Sequence, residues 1–211
     1  MKVTAINGSP REKGNTYHAL QIIGNELEKE DINFEIINLG SKSIRGCIGC
    51  GGCIRNRDEK CTLPDDGVNE IIQKMKISDG IILGSPVYYS GISGTMKSFL
   101  DRVFYVAGVN GSIFRHKVAA SIAAVRRSGG IPTFEQLNKY LLYSEMIIPA
   151  SNYWNVIHGS NPGEVLEDKE GVQIMEVLAR NMAWVLKLIE NGKGQIPEPE
   201  KGRKIFTNFV R

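Results

Sequence analysis

Short apolar runs alternate with segments of helical spacing along most of the chain, and this alternation constrains the fold more than any single motif. Residues 3–6, 34–39, 80–83, 117–125 and 146–148 are apolar runs too short to be helices. Between them, 15–30 carries apolar residues at helical spacing (Ala19, Leu20, Ile23, Leu27), and 68–76, 91–106, 133–142 and 172–189 read as further helices. Asp65 and Asp66 stand where an N-cap for the second of these helices is expected. Repeated strand–helix units of this kind imply a parallel sheet covered on both faces. With 211 residues there is room for one domain with a sizeable core.

The composition excludes several classes of function. A net charge of +3 is too small to argue for nucleic acid or a membrane surface as partner. No apolar run approaches the ~20 residues that span a bilayer. The first residues read as a strand with no signal peptide, so a cytoplasmic location is expected. Asn191-Gly192-Lys193-Gly194 should stop the last helix, and Pro197 and Pro199 should keep the next segment extended. The expected division is a domain over 1–190 and a tail over 191–211. The apolar Ile205-Phe206-Thr207-Asn208-Phe209 suits an arm packed on this or a neighbouring subunit.

The first strand runs into Asn7-Gly8-Ser9-Pro10-Arg11-Glu12-Lys13-Gly14-Asn15-Thr16 and then directly into a helix. A helix N-terminus presents free N–H groups and the positive end of its dipole, and it accepts a phosphate readily. Ser9, Asn15 and Thr16 add hydroxyl and amide donors, and Arg11 and Lys13 add charge. Neither Gly-x-Gly-x-x-Gly nor a Gly-Lys-Ser/Thr loop is present, which argues against a dinucleotide or NTPase site. The alternative for this loop is ordinary turn and capping chemistry. The third strand ends in Gly84-Ser85-Pro86-Val87-Tyr88-Tyr89-Ser90-Gly91. In open α/β sheets, ligands sit outside the carboxyl ends of the strands at the switch point. A proline-fixed turn with two tyrosines there offers backbone donors and aromatic faces to a flat ring.

These motifs, with Ser93-Gly94 and Lys97, Phe99, Asp101 and Arg102 after them, resemble the NADPH-dependent FMN reductase family of flavodoxin-like proteins. The resemblance is strong over roughly residues 1–105 and looser beyond. It implies a doubly wound five-stranded parallel sheet in the order 2-1-3-4-5, with helices on both faces. It implies that the first loop (Ser9, Arg11, Lys13, Asn15, Thr16) holds the FMN phosphate, and that Pro86, Val87, Tyr88 and Tyr89 line the isoalloxazine. A third family loop matches Ala124-Val125-Arg126-Arg127-Ser128-Gly129-Gly130. Its Gly129 would let backbone approach the ring edge, and Arg126 and Arg127 would stabilise charge on the reduced ring. At least one of the two arginines is equally well read as solvated surface, and Asp101 with Arg102 as a helix-face ion pair. The family's habit implies a homodimer or homotetramer.

All four cysteines lie between residues 47 and 61, a distribution unlike that of a secreted disulfide scaffold. Cys47, Cys50 and Cys53 succeed each other at intervals of three, and Cys61 comes after seven intervening residues. That spacing, also found in bacterial ferredoxins, suits one [4Fe–4S] cubane, and the glycines at 46, 49, 51 and 52 let the loop wrap tightly. Zinc more often takes two separated Cys-x₂-Cys knuckles. A redox disulfide would leave two thiols unexplained, and an empty loop is the further alternative. The loop over 40–64 resembles the compact cysteine motif of the iron–sulfur flavoproteins, which carry FMN and such a cluster. The histidines (His18, His116, His158) are far apart in sequence and read as structural or surface residues, and Trp154 and Trp184 as core or interface aromatics.

Flavin chemistry needs no nucleophile or general base from the chain, so no catalytic side chain is assigned. Three functions are compatible with these features. The first is an iron–sulfur flavoprotein passing electrons between a reduced donor, such as ferredoxin, and small acceptors. The second is a cluster-free reductase of quinones, metal ions or free flavin using NAD(P)H. The third is an electron carrier without substrate turnover. The sequence contains no nicotinamide fingerprint that would choose NADH or NADPH.

Overall fold

Five parallel strands, β1 (Lys2–Asn7), β2 (Asn33–Asn38), β3 (Gly80–Pro86), β4 (Val118–Val125) and β5 (Val156–His158), form one sheet in the order β2-β1-β3-β4-β5. The computed structural model describes residues 1–40, 42–207 and 209. Ser41 of the cysteine loop, and Asn208, Val210 and Arg211 of the tail, lie outside the described residues. The helices are α1 (Asn15–Glu28), α2 (Gly52–Asn56), α3 (Val68–Ile77), α4 (Gly94–Val109), α5 (Gly130–Tyr143) and α6 (Lys169–Gly192). A 3₁₀ turn, Glu164–Glu167, precedes α6.

The period-two alternation of strands sorts the core into two layers. Val3, Ala5 and Ile82 face α1 and α6, where Leu20, Ile23, Leu27, Met175 and Met182 are fully buried. Ile6, Ile81 and Leu83 face the other way, onto α3, α4 and α5 through Ile72, Phe99 and Leu137. Each fully buried Leu, Ile or Phe contributes about 1.5–3 kcal/mol. β1 sends its connection toward β2 while β3 sends its own toward β4, so the two loops diverge at the carboxyl edge. That divergence is the switch point at which ligands of such sheets bind.

Three expectations need correction. Residues 146–148 are not the fifth strand. Ile147 makes a single bridge to Val118, and the strand itself is Val156–His158, paired with Ala123–Val125. The chain touches the amino end of β4, loops outward, and returns at its carboxyl end. The cap of α3 is Gly67, at φ +83°, with Asp66 accepting from the Val68 N–H and Asp65 from the Gly67 N–H one residue earlier. Asp101 and Arg102 do not pair, because successive helix residues point in different directions. Asp101 binds Lys97 and the Tyr140 hydroxyl, whereas Arg102 turns inward to Asp66. Of the two roles open to the tryptophans, a place in the core of this chain is ruled out, Trp154 being 55% and Trp184 64% exposed.

Beyond α6 the chain turns once, and the described residues of the tail are exposed. Ties of its described residues include hydrogen bonds to Pro199 from Arg115, to Glu198 from His116, and from Lys201 and Lys204 to Ser112 and Tyr143. No helix among the described residues is long and apolar enough to cross a membrane.

Candidate functional site

At the end of β1 the chain is folded tightly by its own side chains. Asn7 Oδ1 accepts from the Ser9 N–H at 3.1 Å, and Ser9 Oγ accepts from the Arg11 N–H at 3.1 Å. Asn7 Nδ2 reaches Asn38 Oδ1 at 2.8 Å, which ties the loop to β2. The resulting turn delivers Gly14 as the N-cap of α1, with no side chain capping the first turn. The N–H groups there are left to an outside acceptor. Thr16 Oγ1 is buried and has no partner among the described residues. Such an orphan costs about 1–3 kcal/mol unless something completes it. An uncapped helix end with an unpartnered hydroxyl beside it suits a phosphate. Ser9 is buried, Asn15 half-buried, and Arg11 and Lys13 are exposed. Asn15 Oδ1 accepts from the Gly163 N–H at 2.8 Å, which draws the loop after β5 over the same turn.

The loop after β3 is bound to this first loop. Gly8 N–H donates to the Gly84 carbonyl at 2.8 Å, and Ser93 Oγ donates to the Gly8 carbonyl at 2.7 Å. Beyond Pro86 the chain makes a two-residue hairpin in which Tyr88 and Gly91 exchange hydrogen bonds of 2.8 and 3.0 Å. Tyr89 and Ser90 occupy the left-handed region at φ +49° and +58°. Two non-glycine residues in that conformation store strain, a feature of ligand-binding loops. The hairpin holds Tyr89 wholly in solvent and leaves Tyr88 half exposed.

The third loop closes against the second. Gly129 sits at φ +89°, and a Cβ there would lie 2.8 Å from Ser90 Cα and 2.9 Å from Val87 Cγ1. Gly129 also caps α5 with no side-chain partner, so a second uncapped helix N-terminus meets the same edge. Arg126 and Arg127 are both exposed. On the β5 side of this loop, Arg127, Tyr153, Trp154 and His158 line a cavity of about 350 Å³. Tyr153, Trp154 and His158 belong to no sequence motif. The outward loop before β5 brings Tyr153 and Trp154 to the cavity and β5 itself brings His158, and no local pattern reveals it.

The cysteine loop leaves β2 at this same edge. Its wrap uses left-handed Gly49 and Gly51, at φ +65° and +66°. Gly52 then starts α2 so close to Thr62 that a Cβ would lie 2.4 Å from Thr62 Oγ1. That contact folds the Cys47–Cys53 turn onto Cys61, and all four cysteines line one cavity floored by Arg102 and Tyr105 of α4. Cys61 is held on both backbone groups by Asn69, at 2.8 and 3.0 Å. Arg102 Nε donates to Cys61 Sγ at 3.3 Å. The Thr62 hydroxyl and the Gly52 N–H lower the Cys50 thiol pKa, whereas burial pushes that of Cys53 up. All four are free of disulfides. Among the described residues, no three His, Cys, Asp or Glu side chains converge to hold a single metal ion.

Comparison with known proteins agrees with this architecture. The family described as NADPH-dependent FMN reductase matches residues 1–161. An iron–sulfur flavoprotein of Methanocaldococcus jannaschii is 38% identical over 197 residues, covering 90% of this chain and 100% of the relative. An iron–sulfur flavoprotein of Methanosarcina thermophila is 30% identical, covering 92% and 99%. Among solved structures, RosB with bound 8-demethyl-8-formylriboflavin-5'-phosphate superposes with a TM-score of 0.68 at 12% identity, covering 100% of this chain and 92% of RosB. That likeness concerns the fold alone.

Proposed function

The chain belongs to the NADPH-dependent FMN reductase family, and from that premise we propose that it is an iron–sulfur flavoprotein passing electrons between a reduced donor and small acceptors. In this reading FMN lies at the carboxyl edge and a [4Fe–4S] cluster is held by Cys47, Cys50, Cys53 and Cys61. Bound FMN supplies the redox chemistry, accepting two electrons together or one at a time. The uncapped turn of α1 and Thr16 Oγ1 bind its phosphate, with Ser9 and Asn15 shaping the turn and Arg11 and Lys13 adding charge. Pro86, Val87, Tyr88 and Tyr89 flank the ring, and the Gly129 backbone with Arg126 and Arg127 faces its edge. NAD(P)H and a ferredoxin-type protein are both donors of suitable chemistry.

The observation that carries the cluster is the lining of one cavity by all four thiols. A zinc ion draws its thiolates to about 2.3 Å of one centre. In a cubane each thiolate binds a different iron, so the ligands surround a volume. The cysteine-rich loop of a cluster-free reductase has no need to bring Cys61 onto the Cys47–Cys53 turn.

The test is composition. Protein made and handled without oxygen should contain about four iron, four sulfide and one FMN per chain. FMN with less than about one iron after anaerobic reconstitution would leave the cluster-free NAD(P)H reductase as the function. A chain that takes up no FMN would overturn the flavin reading itself.

A further inference from the structure

Among the described residues, the largest fully buried side chain is that of Arg102, 1% exposed at the floor of the cysteine cavity. Burying a guanidinium is expensive unless every direction of its fork is occupied. Here Nη1 and Nη2 bind the Asp66 carboxylate, the latter at 3.1 Å. Nη1 also reaches the Arg45 carbonyl at 3.2 Å, and Nε is aimed at Cys61 Sγ at 3.3 Å. The planar fork thus divides its donors between a carboxylate, the backbone ahead of Cys47, and one thiol. A lysine has a single point of charge and could not serve all three.

We propose that Arg102 is a positioning residue that sets the reduction potential of the cluster through Cys61. The inference rests on the cluster reading proposed for the four thiols. Adding one electron to a thiolate-ligated [4Fe–4S] cluster makes an already anionic unit more negative, with no proton needed. A buried N–H donor on sulfur and a nearby positive charge stabilise that reduced state, and both raise the potential. Asp66 offsets part of the positive charge, so the field at Cys61 is the difference between the two. Arg55, another cation near the thiols, is exposed and bonded to the Cys50 carbonyl at 2.9 Å, where solvent screens it. The Cys61 backbone is fixed separately by Asn69. Loss of the arginine therefore changes the field at the sulfur more than it changes the sulfur's place.

The experiment is a dithionite titration of the cluster in anaerobic holoprotein, monitored by the EPR signal of the reduced cluster. Arg102→Met should shift the midpoint to more negative potential. Asp66→Asn, which keeps the arginine and removes its counter-charge, should shift it the other way. Arg102→Lys should fall between the wild type and Arg102→Met. If Arg102→Met fails to hold iron, the Lys and Asn variants decide by the same opposite shifts. Iron-loaded variants with wild-type midpoints would overturn the proposal. Absence of iron from the wild type would overturn the cluster reading, and this one with it, before any variant was compared.

Discussion

Replacing Gly129 with valine is expected to lower the melting temperature by roughly 5–15 °C and to weaken FMN binding at least about tenfold. Two costs add. A β-branched residue is poorly suited to φ +89°, at about 1–2 kcal/mol. Its Cβ would also lie 2.8 Å from Ser90 Cα, which is backbone and cannot rotate away. Overpacking of this kind costs about 1–3 kcal/mol. The relief available is to push the Tyr88–Gly91 hairpin away from the third loop, and that separates the two walls assigned to the flavin ring. Gly129→Ala should show a smaller effect of the same kind. Thermal melts and FMN titration check both. Wild-type FMN affinity in the valine variant would mean that the ring does not sit between these loops.

Cys53→Ser should reduce iron from about four per chain to below one while leaving FMN bound. A serine hydroxyl holds its proton at neutral pH and is a poor ligand to iron, whereas the loss of packing is small because the two side chains are nearly isosteric. Cys53 is 7% exposed and packs beneath the loop at the start of α2, so the fold has little room to supply another ligand. The turn proposed to bind the phosphate is built separately, by Asn7 and Ser9, so flavin should be retained. Iron and FMN assays on the anaerobic variant check the prediction. Full iron content in Cys53→Ser would remove this residue from the ligand set.

How much of this was legible in the sequence depended on how local the cause was. β1, β3, β4 and α1 arise from periodicity within their own residues, and the order of the sheet agreed with the family resemblance. β5 did not show itself in this way. Its three residues end on an exposed His158, whereas 146–148 is the more apolar run but meets β4 at one bridge only. Pairing partners decide a strand this short, and they lie over 30 residues away. α2 was hidden for the opposite reason: a five-residue helix starting on glycine has no propensity to announce it. It forms because Gly52 admits Thr62. The cysteine spacing pointed to a shared site, but the burial of Arg102 did not. Residue 102 next to Asp101 reads as an ordinary surface pair until the fold brings Asp66 and Cys61 beneath α4. Tyr153 and Trp154 likewise have no helical or strand period and become site candidates only when the outward loop before β5 is seen.

Stoichiometric anaerobic reduction tests most directly whether one chain holds both a flavin and a one-electron cluster. Dithionite titration of freshly purified holoprotein, monitored in the visible spectrum, should consume about three electrons per chain, two for FMN and one for the cluster. Bleaching of the visible flavin band should be accompanied by loss of the broader iron–sulfur absorbance. An endpoint at about two electrons, with the flavin band alone responding, would contradict the account.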